Sequence, residues 1–219
     1  MYAADFFLKC LRITRRCGDH WVQPLWLVVV VTTVSACAAT RPVVDLPELV
    51  TWELRQEVLG ELRDWEFRGR IAVKAGDDGF NGKFNWAQTG DDFVATVSGP
   101  LGMGTVKIEG NDQVIALTDK DGTVTTLSDP EAELYYRYGW TIPVASLRYW
   151  ALGIPDPAIE AETEIDDAGR LVRLQQSDWL VNISRYQVNR GQAMPRTLTA
   201  NDPETRVRMV IDQWFIYER

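Results

Sequence analysis

From Trp65 onward the chain alternates in character. Trp65, Phe67, Ile71 and Val73 are apolar, and Glu66, Arg68, Arg70 and Lys74 between them are charged. A period of two puts one set on each face of a strand. Gly69 interrupts the apolar set and marks a bulge or bend. Asp77-Asp78-Gly79 is a turn signal, after which Phe80, Gly82, Phe84 and Trp86 resume the alternation. Gly90-Asp91-Asp92 turns the chain again, into a strand over 93–97. Further strands are predicted at Val106 and Ile108 and over 114–117, 123–127, 170–176, 179–186, 195–200 and 206–214, about ten in all. Leu54, Val58 and Leu62 recur every fourth residue and predict a helix over 48–63. Ser128-Asp129-Pro130-Glu131 offers a capping side chain, an early proline and a first-turn acid, and predicts a helix through Leu134 and Tyr138 to Gly139. Pro143 opens a third helix with Val144, Leu147, Trp150 and Ala151 on one face, closed by Gly153-Ile154-Pro155. Runs of strands with grouped helices give an α+β fold. A sheet of this size must curl, and helices inside the curl leave an apolar hollow.

The N-terminal region has another pattern. Lys9, Arg12, Arg15 and Arg16 precede an apolar run over 25–36, which ends in Val34-Ser35-Ala36-Cys37. A basic segment, a short apolar core and small residues before a cleavage point describe a secretory signal. The run falls short of the roughly 20 apolar residues of a bilayer span. Val34-Ser35-Ala36-Cys37 resembles a bacterial lipobox, in which the cysteine is lipidated and becomes the first residue. The expected organisation is a signal peptide over 1–36, a lipidated Cys37 with a tether over 37–47, and a folded domain over 48–219. The competing readings are an uncleaved anchor or an ordinary signal peptide, with Cys37 a free thiol. Ala38 stands where an inner-membrane lipoprotein often has aspartate, which resembles sorting to the outer membrane.

Removing the leader takes Cys10, Cys17 and His20 with it, leaving 183 residues with Cys37 as the one cysteine and no histidine. That excludes an intramolecular disulfide, a histidine-based dyad, a His/Cys zinc site and a free cysteine nucleophile. Four basic and two acidic residues also go, leaving 19 Lys and Arg against 29 Asp and Glu, net charge −10. Such a surface disfavours nucleic acid and simple electrostatic docking on anionic lipid. Membrane attachment then falls to acyl chains and apolar contacts. The length suits one domain with a sizeable core. Asp77-Asp78, Asp91-Asp92 and Asp166-Asp167 each lie beside a glycine, where aspartate serves a turn rather than acid–base chemistry. No phosphate loop, zinc spacing or nucleophile elbow is present, so no enzyme and no metal are expected.

An ordered set of motifs runs from Trp65 to Trp214. It comprises Gly69-Arg70-Ile71-Ala72-Val73, Phe84-Asn85-Trp86-Ala87-Gln88, Gly99-Pro100-Leu101-Gly102 and Gly139-Trp140-Thr141-Ile142-Pro143-Val144. The stretch 147–157, Met194-Pro195-Arg196 and Val210-Ile211-Asp212-Gln213-Trp214 complete it. Behind a lipobox, this set resembles the LolB family of outer-membrane lipoprotein receptors. The resemblance implies an antiparallel, incompletely closed barrel of about eleven strands with helices covering an apolar concave face. It implies a monomeric chaperone of lipoprotein transport, anchored in the outer membrane and facing the periplasm. Such a receptor accepts lipoproteins from the soluble carrier LolA and needs no cofactor beyond the lipid on Cys37. The long basic leader departs from the family and bears on the start site rather than on function.

Leu101 sits between Pro100 and Gly102, where a turn projects it outward. Full burial of such a side chain in a bilayer is worth roughly 1.5–3 kcal/mol. The resemblance implies that a protruding leucine at this position is needed for insertion; a leucine folded back on the core is the competing reading, and Met103 beside it is expected to pack. Phe84, Trp86, Trp150 and Trp179 are the candidates for the wall of the hollow, against a solid core, and Trp150 equally for its plug. Cargo would move by affinity alone, a tenfold preference needing about 1.4 kcal/mol. Two other functions fit the composition: an envelope lipoprotein that binds or shuttles another amphiphile, and a structural lipoprotein that docks a protein partner.

Overall fold

The computed structural model describes residues 41–99, 104–111, 113–129, 132–133, 135–136 and 143–218. Its strands are β1 (Asp64–Ala75), β2 (Asp78–Thr89), β3 (Asp92–Ser98), β4 (Thr105–Gly110), β5 (Ile115–Thr118) and β6 (Val124–Leu127). They continue with β7 (Ala161–Ile165), β8 (Leu171–Gln176), β9 (Trp179–Asn189), β10 (Gln192–Asn201) and β11 (Thr205–Ile216). All eleven form one sheet in the order β6-β5-β4-β3-β2-β1-β11-β10-β9-β8-β7. Two antiparallel meanders, β1 to β6 and β7 to β11, are thus joined by the pairing of the first strand with the last. β6 and β7 are neighbours in sequence yet form the two edges, and the barrel stays open between them. Among the described residues the bounded helices are α1 (Trp52–Gly60) and α2 (Val144–Leu152); α2 lies in the connection from one edge to the other.

The alternation read from the sequence is the alternation that buries the core. Trp65, Phe67, Ile71 and Val73 of β1 are buried, and so are Val207, Met209 and Ile211 of β11. One strand, β7, escapes that reading. Its sequence Ala-Glu-Thr-Glu-Ile buries no position fully, and Glu162 and Glu164 are exposed. An edge strand gains from such charge, which blocks pairing with another chain, so its apolar signal is weak. The first helix is shorter than the expected 48–63. Thr51 caps it, its hydroxyl accepting from the Leu54 N–H at 3.3 Å, and Gly60 ends it. Its buried residues are Arg55 and Leu59, with Leu54, Val58 and Leu62 packed partly buried beside them. Asp129 starts the next helical piece as expected: its carboxylate accepts from the Ala132 N–H at 3.1 Å and its carbonyl from the Glu133 N–H at 2.9 Å. The expected path through Leu134, Tyr138 and Gly139 lies outside the described residues. At the described end of the expected tether, the Val44 N–H donates to the Ile216 carbonyl at 2.9 Å, and Val44 and Leu46 pack on the core.

The bulge expected at Gly69 is present, and the extra residue is on the partner strand. Arg68 pairs with Gln213 and Gly69 with Ile211, leaving Asp212 unpaired. The buried phase of β11 therefore changes, from Val207, Met209 and Ile211 to Trp214 and Ile216. A Cβ on Gly69 would lie 2.2 Å from the Val210 carbonyl oxygen, so glycine sets the closeness of β1 to β11. A second irregularity surrounds Pro195 in β10, an interior strand that tolerates proline only at such a bulge. The freed Pro195 carbonyl accepts from Trp214 Nε1 at 3.0 Å.

Helix α2 is fixed to the second meander by a buried polar network. Gln176, on β8, accepts at Oε1 from Trp150 Nε1 at 2.8 Å and from the Asp156 N–H at 3.1 Å. Its Nε2 donates to the carbonyls of Asp156 at 2.7 Å and Ile159 at 2.8 Å. The Ser146 hydroxyl donates to Asp156 Oδ2 at 2.8 Å. Gly153 ends the helix at φ 80°, where a Cβ would stand 2.9 Å from Pro195 Cγ.

Three stability measurements follow. By urea denaturation, Gly69→Ala is expected to lose about 1–3 kcal/mol through backbone overpacking. Gly60→Ala, whose new Cβ meets nothing nearer than Ile154 Cδ1 at 3.9 Å, is expected to gain roughly 0.4–1 kcal/mol. Gln176→Leu strands two buried N–H donors and is expected to lose at least about 1–3 kcal/mol, measured in the same way.

Candidate functional site

The sheet's inner face and α2 enclose an apolar cavity of about 380 Å³. β2 supplies Phe84 and Trp86, β3 Ala95 and Val97, β4 Val106 and Ile108, and β5 Leu117. Each is an inward position of a strand with period two. Val144 and Leu147 of α2 close the cavity from the other side. The volume lies near the low end of the about 300–1,000 Å³ typical of small-molecule sites.

Among the described lining residues the polar side chains are Asn81, Asp119 and Lys120, beside Gly99 and Gly104. The Gly99 N–H donates to the Gly104 carbonyl at 3.1 Å, which closes the base of the β3–β4 connection. Gly104 has φ 78°, and a Cβ there would meet Lys120 Cβ at 3.1 Å, so this base packs against the β5–β6 turn. Asp119 organises that turn: its carboxylate accepts the N–H groups of Thr123 and Asp121, both at 2.9 Å. The Thr123 bond above all holds the carboxyl below the usual aspartate range. Lys120 pairs with Asp121 at 2.7 Å. The rim charges are satisfied locally and leave the interior apolar.

The sequence candidates separate into groups. Phe84 and Trp86 line the cavity, yet much of Trp86 is committed elsewhere. It stacks on Phe93 at 4.6 Å and on Trp65 at 6.2 Å between ring centres, in a block that also holds Phe67 and Trp214. Trp150 and Trp179 are apart from this cavity. Their rings lie 5.9 Å from each other, beside a second pocket of about 370 Å³ that also includes Asp178, Asp202 and Glu204. Trp150 points to Gln176, so α2 meets the cavity through Val144 and Leu147. Cys37, Leu101 and Met103 lie outside the described residues, but the chain on either side of Leu101, at Gly99 and Gly104, stands on the cavity rim.

The aliphatic lining was the part the aromatic choice passed over. Ile108 and Leu117 belong to strands of six and four residues, and their alternation was the available signal. The acidic pairs lie at turns, with Asp78 and Asp92 the first residues of β2 and β3. Asp166 Oδ1 accepts the N–H groups of Ala168 and Arg170 at 3.0 Å, Arg63 pairs with Asp91, and Asn111 donates to Asp92 at 3.1 Å. Among the described residues no group of three or more His, Cys, Asp or Glu could hold a metal.

Comparison with known proteins bears on the same stretch of chain. Residues 63–214 match the family described as Outer membrane lipoprotein LolB. The outer-membrane lipoprotein LolB of Nitrosococcus oceani is 36% identical over 165 residues, covering 75% of this chain and 82% of that protein. That of Alkalilimnicola ehrlichii is 34% identical over 181 residues, covering 82% and 90%. Among solved structures, a LolA superfamily protein from Nitrosomonas europaea aligns with a TM-score of 0.52 at 11% identity, covering 78% of this chain and 95% of its own. A DUF1329 family protein from Desulfovibrio piger also gives 0.52, at 10% identity, covering 76% and 90%. At such identities the structural likeness speaks for the fold. The family match spans β1 to β11, with the cavity walls and the bulged junction inside it, and the chain belongs to the LolB family of outer-membrane lipoproteins.

Proposed function

We propose that this protein localises lipoproteins to the outer membrane. It is anchored there by lipid on Cys37 and faces the periplasm. It takes cargo acyl chains from a LolA-type carrier into the cavity and passes them to the bilayer beside Leu101. The observation that supports this reading best is the position of the cavity. An apolar space walled by β2 to β5 and closed by Val144 and Leu147 opens at the base of the loop that carries Leu101.

The work is physical rather than catalytic. An acyl chain gains about 0.8 kcal/mol for each methylene removed from water, so transfer needs apolar surface that is continuous from donor to acceptor. The carrier, the cavity and the bilayer form such a series. Exchange runs towards the compartment that buries the chain most completely, without a nucleotide. α2 is the wall opposite the sheet: Gln176 and the Ser146–Asp156 hydrogen bond hold it in place, and Val144 and Leu147 meet the cavity through side-chain packing.

Two variants test the two halves of the proposal. Leu117→Trp fills the cavity and is expected to weaken binding of a fluorescent fatty acid at least tenfold, read by titration, with the fold retained by circular dichroism. Unchanged affinity would place the acyl site elsewhere. Leu101→Glu is expected to accept cargo from the carrier normally but to insert it into vesicles at least tenfold more slowly, since one buried leucine is worth roughly 1.5–3 kcal/mol. Normal insertion by this variant removes Leu101 from the mechanism.

A further inference from the structure

The outer face of the sheet is charged, and at the β1–β2–β11 junction the charge is mainly positive. β1 presents Arg70 and Lys74 outward, β2 Lys83, and β11 Arg206 and Arg208, all of them exposed. The register sets like charges against each other: Lys74 pairs with Arg206, and Arg70 with Lys83. Arg208 stands opposite Ala72, between those two pairs. Like charges directly opposed on antiparallel strands destabilise a sheet. Arg70 has a counterion, Asp212, reached at 3.1 and 3.3 Å. No ion pair is recorded among the described residues for Lys74, Lys83, Arg206 or Arg208.

These side chains border a shallow groove of about 880 Å³. Arg70, Lys83 and Arg208 edge it, Ala72 and Val210 are on its floor, and Ser98 and Gly99 are at its end. Ser98 and Gly99 lead into the loop that carries Leu101. The cationic groove and the apolar cavity thus back onto opposite faces of the same strands and meet at one loop base.

We propose that this groove docks the protein on anionic phospholipid headgroups, in a fixed orientation with the Leu101 loop against the bilayer; the proposal rests on the insertion role assigned to Leu101 above. Charge complementarity points to a phosphate-bearing surface. The groove is open, two of its three long cations, Lys83 and Arg208, form no ion pair among the described residues, and its floor is small and apolar, which fits a layer of headgroups better than an enclosed anion. The chain's net negative charge does not oppose this contact, because screening at about 8 Å leaves only charges close to the surface effective. The strand tips on the same end carry Asp77, Asp178, Asp202 and Glu204. The protein therefore meets the membrane by the outer face of β1, β2 and β11 rather than by those tips.

The test uses the mature protein, lipidated on Cys37, in vesicles, with a fluorophore attached through Ala72→Cys. Energy transfer to an acceptor on lipid headgroups reports contact of the groove, and Val188→Cys, exposed on β9, serves as the control position. Vesicles are phosphatidylcholine alone or with phosphatidylglycerol added. Expected are higher transfer from position 72 in anionic vesicles, reversal by high salt, and no such change at position 188. Each surface cation is worth about fivefold, so Lys83→Gln with Arg208→Gln is expected to lower the docked-to-free ratio roughly thirtyfold. Leu101→Glu is expected to insert cargo poorly while keeping the anionic-lipid dependence. Equal transfer in both vesicle types, or an effect untouched by the double variant, overturns the docking surface. If only Leu101→Glu removes the effect, the insertion role stands and the groove has no part in it.

Discussion

The pairing of β1 with β11 is the contact on which everything else depends. Every other adjacent pair of strands is joined by a connection local in sequence; this pair joins residues from opposite ends of the domain, from Trp65 with Ile216 to Ala75 with Thr205. Without it there are two separate meanders, and neither encloses a core. Closing so long a loop costs entropy before any contact repays it. The repayment is concentrated at the junction itself: Trp65 and Phe67 on β1 pack against Trp214 on β11 and Trp86 on β2, with ring centres 5.3–6.5 Å apart. The same demand explains why the junction contains both a close backbone approach, at Gly69, and the bulge at Asp212.

Most of this was legible in the sequence because a half-buried antiparallel strand writes its structure as alternation. Phe84, Trp86, Phe93 and Ala95 announce their faces without any knowledge of partners, and Gly69 marks its own bulge. Helix α2 was readable from Val144, Leu147, Trp150 and Ala151, all of them buried. Three things were not readable. β7 has too little apolar content to declare itself. The buried face of α1 includes Arg55, whose guanidinium donates to the Ala193 carbonyl at 2.6 Å and lies over the Tyr186 ring at 5.7 Å, a burial no hydropathy pattern predicts. The cavity wall was sought among the aromatics, of which Phe84 and Trp86 do line it, but Trp150 and Trp179 pack elsewhere and the rest of the wall falls to aliphatic side chains such as Val106, Ile108 and Leu117.

Charge shows a related difference between an average and an arrangement. Taken over the whole folded chain, the acidic excess argues against anionic lipid. Only the strand order and register reveal that Lys74, Lys83, Arg206 and Arg208, scattered over 135 positions of sequence numbering, share one patch of one face. Composition describes the field far from the molecule; contact is decided by what lies within a Debye length.

The unpaired edges at β6 and β7 have one more consequence. In a closed barrel the girth is fixed by strand number and stagger, and any change in it breaks a ladder of hydrogen bonds. Here the two edges share no ladder, and the chain from one to the other is a connection with a helix in it. The sheet can therefore uncurl by small changes of twist spread over ten strand pairs, each keeping its register. Capacity becomes a matter of side-chain repacking alone, and one container can accept guests of different bulk at nearly the same cost.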